Sequence, residues 1–81
     1  MPTRASSPSR LGRSFGLVVR REREARGWTQ GQLADHALLS RNQVSLIERG
    51  RTSPTIRAIE RIAAALEKTP HALVRAAEEL V

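Results

Sequence analysis

The stretch that decides the fold is residues 29–50, TQGQLADHALLSRNQVSLIERG, because one pattern of helix-start residues occurs in it twice. Thr29 is followed three residues later by Gln32, and Ser40 is followed at the same spacing by Gln43. A hydroxyl residue and a Glu or Gln three positions on form a capping box, in which each side chain bonds the other residue's backbone N–H. The pattern therefore predicts two short helices separated by a turn of two or three residues.

The rest of the chain continues this helical pattern. Apolar residues recur at three- and four-residue spacing, and no alternating β-branched run indicates a strand. Ser53-Pro54 and Thr69-Pro70 each combine a hydroxyl cap with a proline at the first helical position. We therefore predict an all-α fold of five helices, with bounds near 11–26, 30–37, 41–49, 54–66 and 70–80.

The apolar positions of these segments predict the core. The inward faces are expected to carry Leu11, Phe15, Val18, Val19, Leu33, Ala34, Ile56, Ile59, Ile62, Ala63, Leu66, Leu73, Val74, Ala77 and Leu80. Trp28 precedes the Thr29 cap, which is the position of a hydrophobic staple, so core packing is favoured over a stacking role. His36 is expected on the solvent face of the second helix.

Positive charge is concentrated in the first part of the chain. The 81 residues carry a net charge of +6, and thirteen of the fourteen cations are arginine. Residues 1–53 hold ten arginines and four acids, a balance of +6, whereas residues 54–81 hold four cations and four acids, a balance of zero. Arginine binds phosphate through two parallel hydrogen bonds, so the first part is expected to face a polyanion.

Composition excludes several classes of function. The chain has no cysteine, only two histidines that lie far apart, and no nucleophile–base pair or phosphate-binding loop, so neither an enzyme nor a metal site is expected. No apolar run is long enough to cross a bilayer. Phe15 and Trp28 are the only aromatic residues, too few for single-strand stacking, so duplex DNA is the favoured polyanion and an anionic membrane surface is its rival.

The chain is long enough for one small domain. Residues 1–9 are polar, rich in proline and serine, and are expected to form a flexible arm, followed by a single domain over 10–81. Arg4 and Arg10 offer two interpretations, entry into a minor groove or disorder without function, and the second is favoured.

Residues 27–66 resemble the helix-turn-helix family of phage repressors, Cro proteins and Xre-type bacterial regulators, also described as lambda-repressor-like. The resemblance rests on Thr-Gln-x-x-Leu-Ala from Thr29, on Leu39-Ser40 and on Ile-Glu-Arg-Gly from Ile47, and it extends from Leu11 to about Leu66, about two thirds of the chain. It implies a cytoplasmic, nucleoid-associated regulator of transcription from a bacterium or phage that binds double-stranded DNA and requires no cofactor, metal or membrane.

The resemblance also implies a site. The recognition helix, near 41–49, would touch base edges through Arg41, Asn42, Gln43, Ser45 and Leu46. Phosphate contacts would come from Gln30, Arg20, Ser40, Arg49, Arg51, Thr52 and Ser53. For Arg41 and Asn42 the alternative is an ordinary exposed helix start, for Gln43 it is the capping box alone, and for the flanking residues it is a solvated surface.

Arg23 and Glu48 match positions that often form an ion pair between the first and third helices of this family. Such a pair would fix the angle of the recognition helix more than it would stabilise the fold, because burial of charge costs desolvation. Two separately solvated charges are the alternative.

Three residues depart from the family pattern. Leu38 stands where the turn commonly has glycine, and positive φ would cost a leucine on the order of 1 kcal/mol. Gly31 weakens the second helix by roughly 1 kcal/mol relative to alanine. Glu22 replaces a residue that is usually apolar.

Two copies would read a palindromic operator better than one, so a homodimer is expected. Residues 54–81 have zero net charge and more apolar residues than a small bundle can bury, which places the predicted interface there. Its candidate residues are Ile59, Leu66, Leu73, Val74, Leu80 and Val81. Small phage repressors, restriction-modification controller proteins and antitoxins all fit these features, and an anionic membrane-surface binder remains the alternative.

Overall fold

The fold was determined as a computed structural model that describes residues 9–81. Within this range the chain forms five α-helices and no strand. They are α1 (Arg10–Ala25), α2 (Gln30–Ala37), α3 (Arg41–Glu48), α4 (Ile56–Ala65) and α5 (Pro70–Leu80). The predicted fold class and the order of the five helices are therefore confirmed.

Each helix begins at a hydroxyl residue in extended conformation whose side chain accepts a backbone N–H from the first turn. Both predicted capping boxes form, at Thr29 with Gln32 and at Ser40 with Gln43. Ser9, which we assigned to the arm, is the N-cap of α1 and accepts the N–H of Gly12 at 2.9 Å. Residues 1–8, including Arg4, lie outside the described residues.

The predicted start of α4 was wrong. The hydroxyl of Thr55, two residues beyond Ser53, accepts the N–H of Ala58 at 3.0 Å, and the helix begins at Ile56. Pro54 instead lies in the segment before the cap, where it lines a groove beside α1. A hydroxyl residue can cap from either position, and the helix uses Thr55.

The helices enclose one apolar core. α1 packs along α5 and crosses α3, while α2 packs between α3 and α4. The largest fully buried side chains are Leu33, Ile62, Leu66, Leu73, Val19 and Val44. Three expected core residues are exposed, Leu11 at 37%, Leu80 at 41% and Ile56 at 74%, because each lies in the first or last turn of a helix at the rim of the core. No helix within residues 9–81 has the length and apolarity needed to span a membrane.

Candidate nucleic-acid interface

α3 presents two different faces. Its inner face buries Val44 and Ile47, and its outer face exposes Arg41 and Asn42 in the first turn. Among the described residues, no hydrogen bond or ion pair involves either exposed side chain. The N-terminal half of α3 therefore offers a guanidinium and an amide to solvent, both at the start of a capped helix.

The other candidate base-contacting residues are less open. Ser45 and Leu46 are half-buried on α3, and Leu46 lines a cleft of about 160 Å³ between α3 and the segment before α4. Gln43 is exposed, but its Oε1 accepts the N–H of Ser40 at 2.8 Å and closes the capping box. That bond leaves the NH₂ of Gln43 to donate outward, so the capping role and a base contact are compatible.

A buried polar network fixes α3 to the rest of the domain. Arg23 of α1 donates to both carboxylate oxygens of Glu48, at 2.7 and 3.0 Å, and to the carbonyl oxygen of Trp28 at 2.7 Å. The Glu48 side chain is only 2% exposed. The structure thus forms the pair that the resemblance implied, in a two-bond geometry that holds the angle between α1 and α3.

The charge of Arg23 is stabilised where it lies. The hydrogen bond that Arg23 donates to Glu48 raises the pKa of the Arg23 guanidinium, burial acts against this shift, and the charges of Glu48 and Glu24 add to it. The guanidinium therefore stays protonated, and the buried carboxylate of Glu48 keeps its positive partner.

Gln30 is a member of the same network, which the sequence did not predict. Its Nε2 donates to Oε1 of Glu48 at 3.1 Å, so the first residue of α2 is tied to the end of α3. This bond uses one of the two amide hydrogens and leaves the other for a phosphate. No local sequence signal links the two residues, because they lie eighteen positions apart.

The candidate phosphate-contacting residues surround both ends of α3. Arg49, Arg51 and Ser53 are exposed after its C-terminus, and Thr52 is half-buried. Ser40 is exposed at its N-terminus, but its hydroxyl accepts the N–H of Gln43 at 3.0 Å. Arg20 lies on α1, 3.2 Å from the carboxylate of Glu24 in an exposed ion pair.

The turn between α2 and α3 is strained at one residue. Leu38 has φ 57° and ψ 40°, which is the left-handed conformation expected at a turn position where the family commonly has glycine. Its side chain is 75% exposed. Its carbonyl oxygen accepts a hydrogen bond of 3.3 Å from Arg61 of α4. The departure from glycine therefore leaves the turn in place and stores strain in it.

Glu22 is accommodated by charge. Its carboxylate lies 3.0 Å from the guanidinium of Arg26 and 3.8 Å from the ammonium of Lys68, and Arg26 also donates to the carbonyl oxygen of Leu66. These contacts join the end of α1 to the turn after α4. Partly exposed ion pairs thus replace the apolar contact expected at this position.

Trp28 is half-buried at the edge of the core, as its staple position predicts. Its ring also stacks on that of exposed His36, with centroids 4.4 Å apart and planes at 9°. The predicted solvent position of His36 is confirmed, and the ring contact was not anticipated.

Comparison with known proteins defines the family. A helix-turn-helix family model matches residues 19–73, so this chain belongs to the Xre/Cro/C1-type helix-turn-helix family, whose members are DNA-binding regulators of transcription. A comparison with curated protein sequences gave no match.

Solved structures agree with this assignment. The chain is similar to the restriction-modification controller protein C.AhdI from Aeromonas hydrophila, with 34% identity, a TM-score of 0.73 and coverage of 75% of this chain and 92% of that one. The wild-type controller protein C.Esp1396I is 30% identical, with a TM-score of 0.78 and coverage of 88% of this chain and 92% of that one. The clp gene regulator ClgR from Corynebacterium glutamicum, at 24% identity and a TM-score of 0.80 over 86% of this chain and 74% of that one, shares the fold.

Proposed function

We propose that the protein is a sequence-specific regulator that binds a palindromic operator as a homodimer, with α3 in the major groove. The observation that carries this proposal is the exposure of Arg41 and Asn42, without a partner among residues 9–81, at the start of a helix whose opposite face is fixed by the core and by Glu48. A rigid helix with open polar tips is what base inspection requires.

The exposed groups match base edges. The guanidinium of Arg41 suits the O6 and N7 acceptors of guanine, and the amide of Asn42 suits N6 and N7 of adenine. Leu46 offers an apolar tip for a thymine methyl, and Gln43 and Ser45 flank it with polar groups. Specificity would therefore rest mainly on the first turn of α3.

Phosphate contacts would hold this helix in register. Gln30 lies at the N-terminus of α2, where backbone N–H groups favour an anion, while Arg49, Arg51 and Ser53 follow α3. Because Gln30 bonds to Glu48, the last residue of α3, these groups gather at the C-terminal end of that helix, which supports a cluster of phosphate contacts there.

A second copy would bind through α4 and α5. Exposed or half-exposed apolar side chains of this part of the chain include Ile59, Val74, Leu80 and Val81, and a groove of about 150 Å³ beside Ile59 and Val74 is lined mainly by carbon. Leu66 and Leu73, which the sequence placed in the interface, are 0% and 1% exposed. They belong to the core of one chain, so we remove them from the proposed contact.

The similarity to C.AhdI and C.Esp1396I favours a controller-type regulator over a phage repressor or an antitoxin, because both of those proteins are restriction-modification controller proteins. Such a role places the protein with DNA in the cytoplasm.

Selection of bound duplexes from a random library tests the proposal. We expect enrichment of two inverted half-sites whose centres lie about 34 Å, one helical turn, apart. Sedimentation at micromolar concentration should give a dimer. Recovered duplexes without any shared sequence, or a single unpaired half-site, would contradict the proposal.

A further inference from the structure

We infer that the N-terminal half of α1 is a second phosphate-binding surface, in which Arg10 and Arg13 contact the DNA backbone beyond the C-terminal end of α3. This inference rests on the proposed function and extends its contact surface to residues that neither the helix-turn-helix motif nor the family resemblance assigns.

The packing of α1 brings this surface to the end of α3. Two contacts along the helix define the placement: Gly12 faces Ser53, whose Cα would lie 3.9 Å from a Cβ at position 12, and Arg13 lies over Gly50. A Cβ on Gly50 would be 2.7 Å from Cγ of Arg13, and Gly50 has φ +67°, so glycine is needed there on both counts. The first turns of α1 therefore run beside the segment 50–53, which carries three of the proposed phosphate-contacting residues.

The two arginines share one face. Arg10 and Arg13 are three positions apart in the helix, about 4.5 Å along its axis, and both are exposed. Arg49 and Arg51 are also exposed, directly before and after Gly50. The packing of Arg13 on Gly50 thus joins the α1 arginines to those that follow α3, in a single basic surface made of Arg10, Arg13, Arg49 and Arg51.

Acidic residues are absent from both described segments of this surface. Residues 9–21 contain four arginines and no acid, and residues 49–55 contain two arginines and no acid. The acids nearest in sequence are already engaged: Glu22 with Arg26, Glu24 with Arg20, and Glu48 with Arg23. Segments that carry an excess of cations attract a polyanion, and guanidinium groups bind phosphate oxygens in pairs.

The position of the surface favours DNA over a lipid bilayer. Binding of a helix to a membrane requires an apolar face that enters the interface. In α1 the residues Phe15, Val18 and Val19 are each no more than 5% exposed because they form part of the core. The exposed apolar residues of the helix, Leu11 and Leu17, lie six positions apart on different sides of it and form no continuous face. The basic face instead continues from the C-terminal end of the proposed recognition helix, where the phosphate strand beside the major groove would pass.

The test compares two double variants with equal net charge. Arg10→Gln with Arg13→Gln removes two charges from the surface, whereas Lys68→Gln with Arg75→Gln removes two from the turn before α5 and from α5. Each protein is titrated with the selected operator and with random duplex over a range of salt concentrations. Each sequence is used in two lengths, one trimmed so that it ends at the half-sites and one extended at both ends. Thermal unfolding followed by circular dichroism verifies that both variants fold.

We expect the first variant to lose about tenfold or more in affinity at low salt on both sequences, with a salt slope shallower by about two units per bound subunit and so by about four units for the dimer. Wild-type protein should prefer the extended duplex to the trimmed one, and this preference should vanish in the first variant and persist in the second. Equal slopes for wild type and the first variant, with binding intact, would overturn this inference alone.

Two further outcomes separate the inference from the function on which it rests. A wild-type protein that bound no duplex at all would overturn the proposed function and this surface together. Binding to phosphatidylglycerol vesicles that the first variant loses, while its DNA binding is unchanged, would overturn the inference in favour of a lipid surface.

Discussion

Gly16 in α1 lies so close to the carbonyl oxygen of Ile47 in α3 that a Cβ at position 16 would overlap it. The carbonyl groups of Ile47 and Glu48 leave no room there for any residue larger than glycine. The separation of α1 and α3 is therefore set by backbone contact, next to the side-chain network of Arg23 and Glu48.

Replacing Gly16 with alanine should push the two helices apart. The obstacle is backbone and not the flexible end of a side chain, so we expect Gly16→Ala to lower the free energy of unfolding by about 1 to 3 kcal/mol. Urea denaturation measures the loss, and affinity for operator DNA should fall with it because α3 changes its angle.

Gly31→Ala is the matched control, since it makes the same change in α2. The added Cβ would have one neighbour within 4 Å, the hydroxyl of Thr29 at 3.8 Å, which is an ordinary contact. Alanine should raise the free energy of unfolding by about 0.5 to 1 kcal/mol through helix propensity. Two alanine variants of equal stability would show that the contact with Ile47 does not limit the packing.

Removing Arg23 alone should be more costly than removing both Arg23 and Glu48. Arg23→Ala leaves the carboxylate of Glu48 buried without a cation, and we expect a loss of about 3 to 5 kcal/mol. The variant with Arg23→Met and Glu48→Leu together, which leaves no buried charge, should recover much of that loss while weakening DNA recognition. Chemical denaturation and duplex binding measure the two effects. Equal stability of the single and double variants would contradict the network described above.

The same network has a defined pH dependence on the arginine side. Because the pKa of Arg23 is raised on folding, its contribution to stability is fully present below the ordinary arginine pKa and is lost only as pH rises through the folded value. Across the neutral pH range Arg23 stays protonated in both the folded and the unfolded state. Loss of its proton should therefore contribute no pH dependence to the difference in unfolding free energy between wild type and Arg23→Ala.

Leu38→Gly should stabilise the turn. Glycine relieves the strain of the left-handed conformation at position 38, but it also increases the conformational entropy of the unfolded chain. We expect the free energy of unfolding to rise by about 0.5 to 1 kcal/mol as the net result. Leu38→Ala keeps a Cβ in the same conformation and should bring no such gain. Thermal unfolding of both variants gives the comparison, and a glycine variant no more stable than the alanine variant would show that the turn carries no strain.

The proposed dimer can be tested at exposed positions, where substitution spares the core. Leu80 and Val81 are 41% and 53% exposed, and we expect Leu80→Ser with Val81→Ser to weaken self-association by about tenfold or more. Leu17→Ser, at a 48% exposed leucine of α1, is the control and should leave the dimer intact. Sedimentation equilibrium would argue against the α4–α5 interface if only the control dissociated.

Local signals predicted most of the fold. Three helix starts are encoded by signals that span no more than four residues, namely the capping boxes at Thr29 and Ser40 and the Thr69-Pro70 pair. The sequence alone therefore located the starts of α2, α3 and α5. The start of α4 was misplaced because Ser53 and Thr55 are both suitable caps, and the local sequence does not distinguish between them.

The candidate site was less predictable. Two contacts, that of Gly16 with Ile47 and the hydrogen bond from Gln30 to Glu48, join residues far apart in the chain. The residues next to them in the sequence form no pattern that predicts either contact. The Arg23–Glu48 pair was anticipated only through the family resemblance. Exposure of Arg41 and Asn42, in contrast, follows from the helical period once the Ser40 cap fixes the start of α3.

Binding of an Arg41→Ala variant to the selected operator and to random duplex tests the central claim most directly. We predict a loss of about 1 to 3 kcal/mol on the operator, relaxed preference at one base pair of each half-site, and little change on random duplex beyond that of a single lost charge. Arg75→Ala, which removes the same charge from α5, should reduce neither discrimination nor base preference. An Arg41 variant that kept the full preference for operator over random duplex would contradict the assignment of α3 as the helix that reads bases.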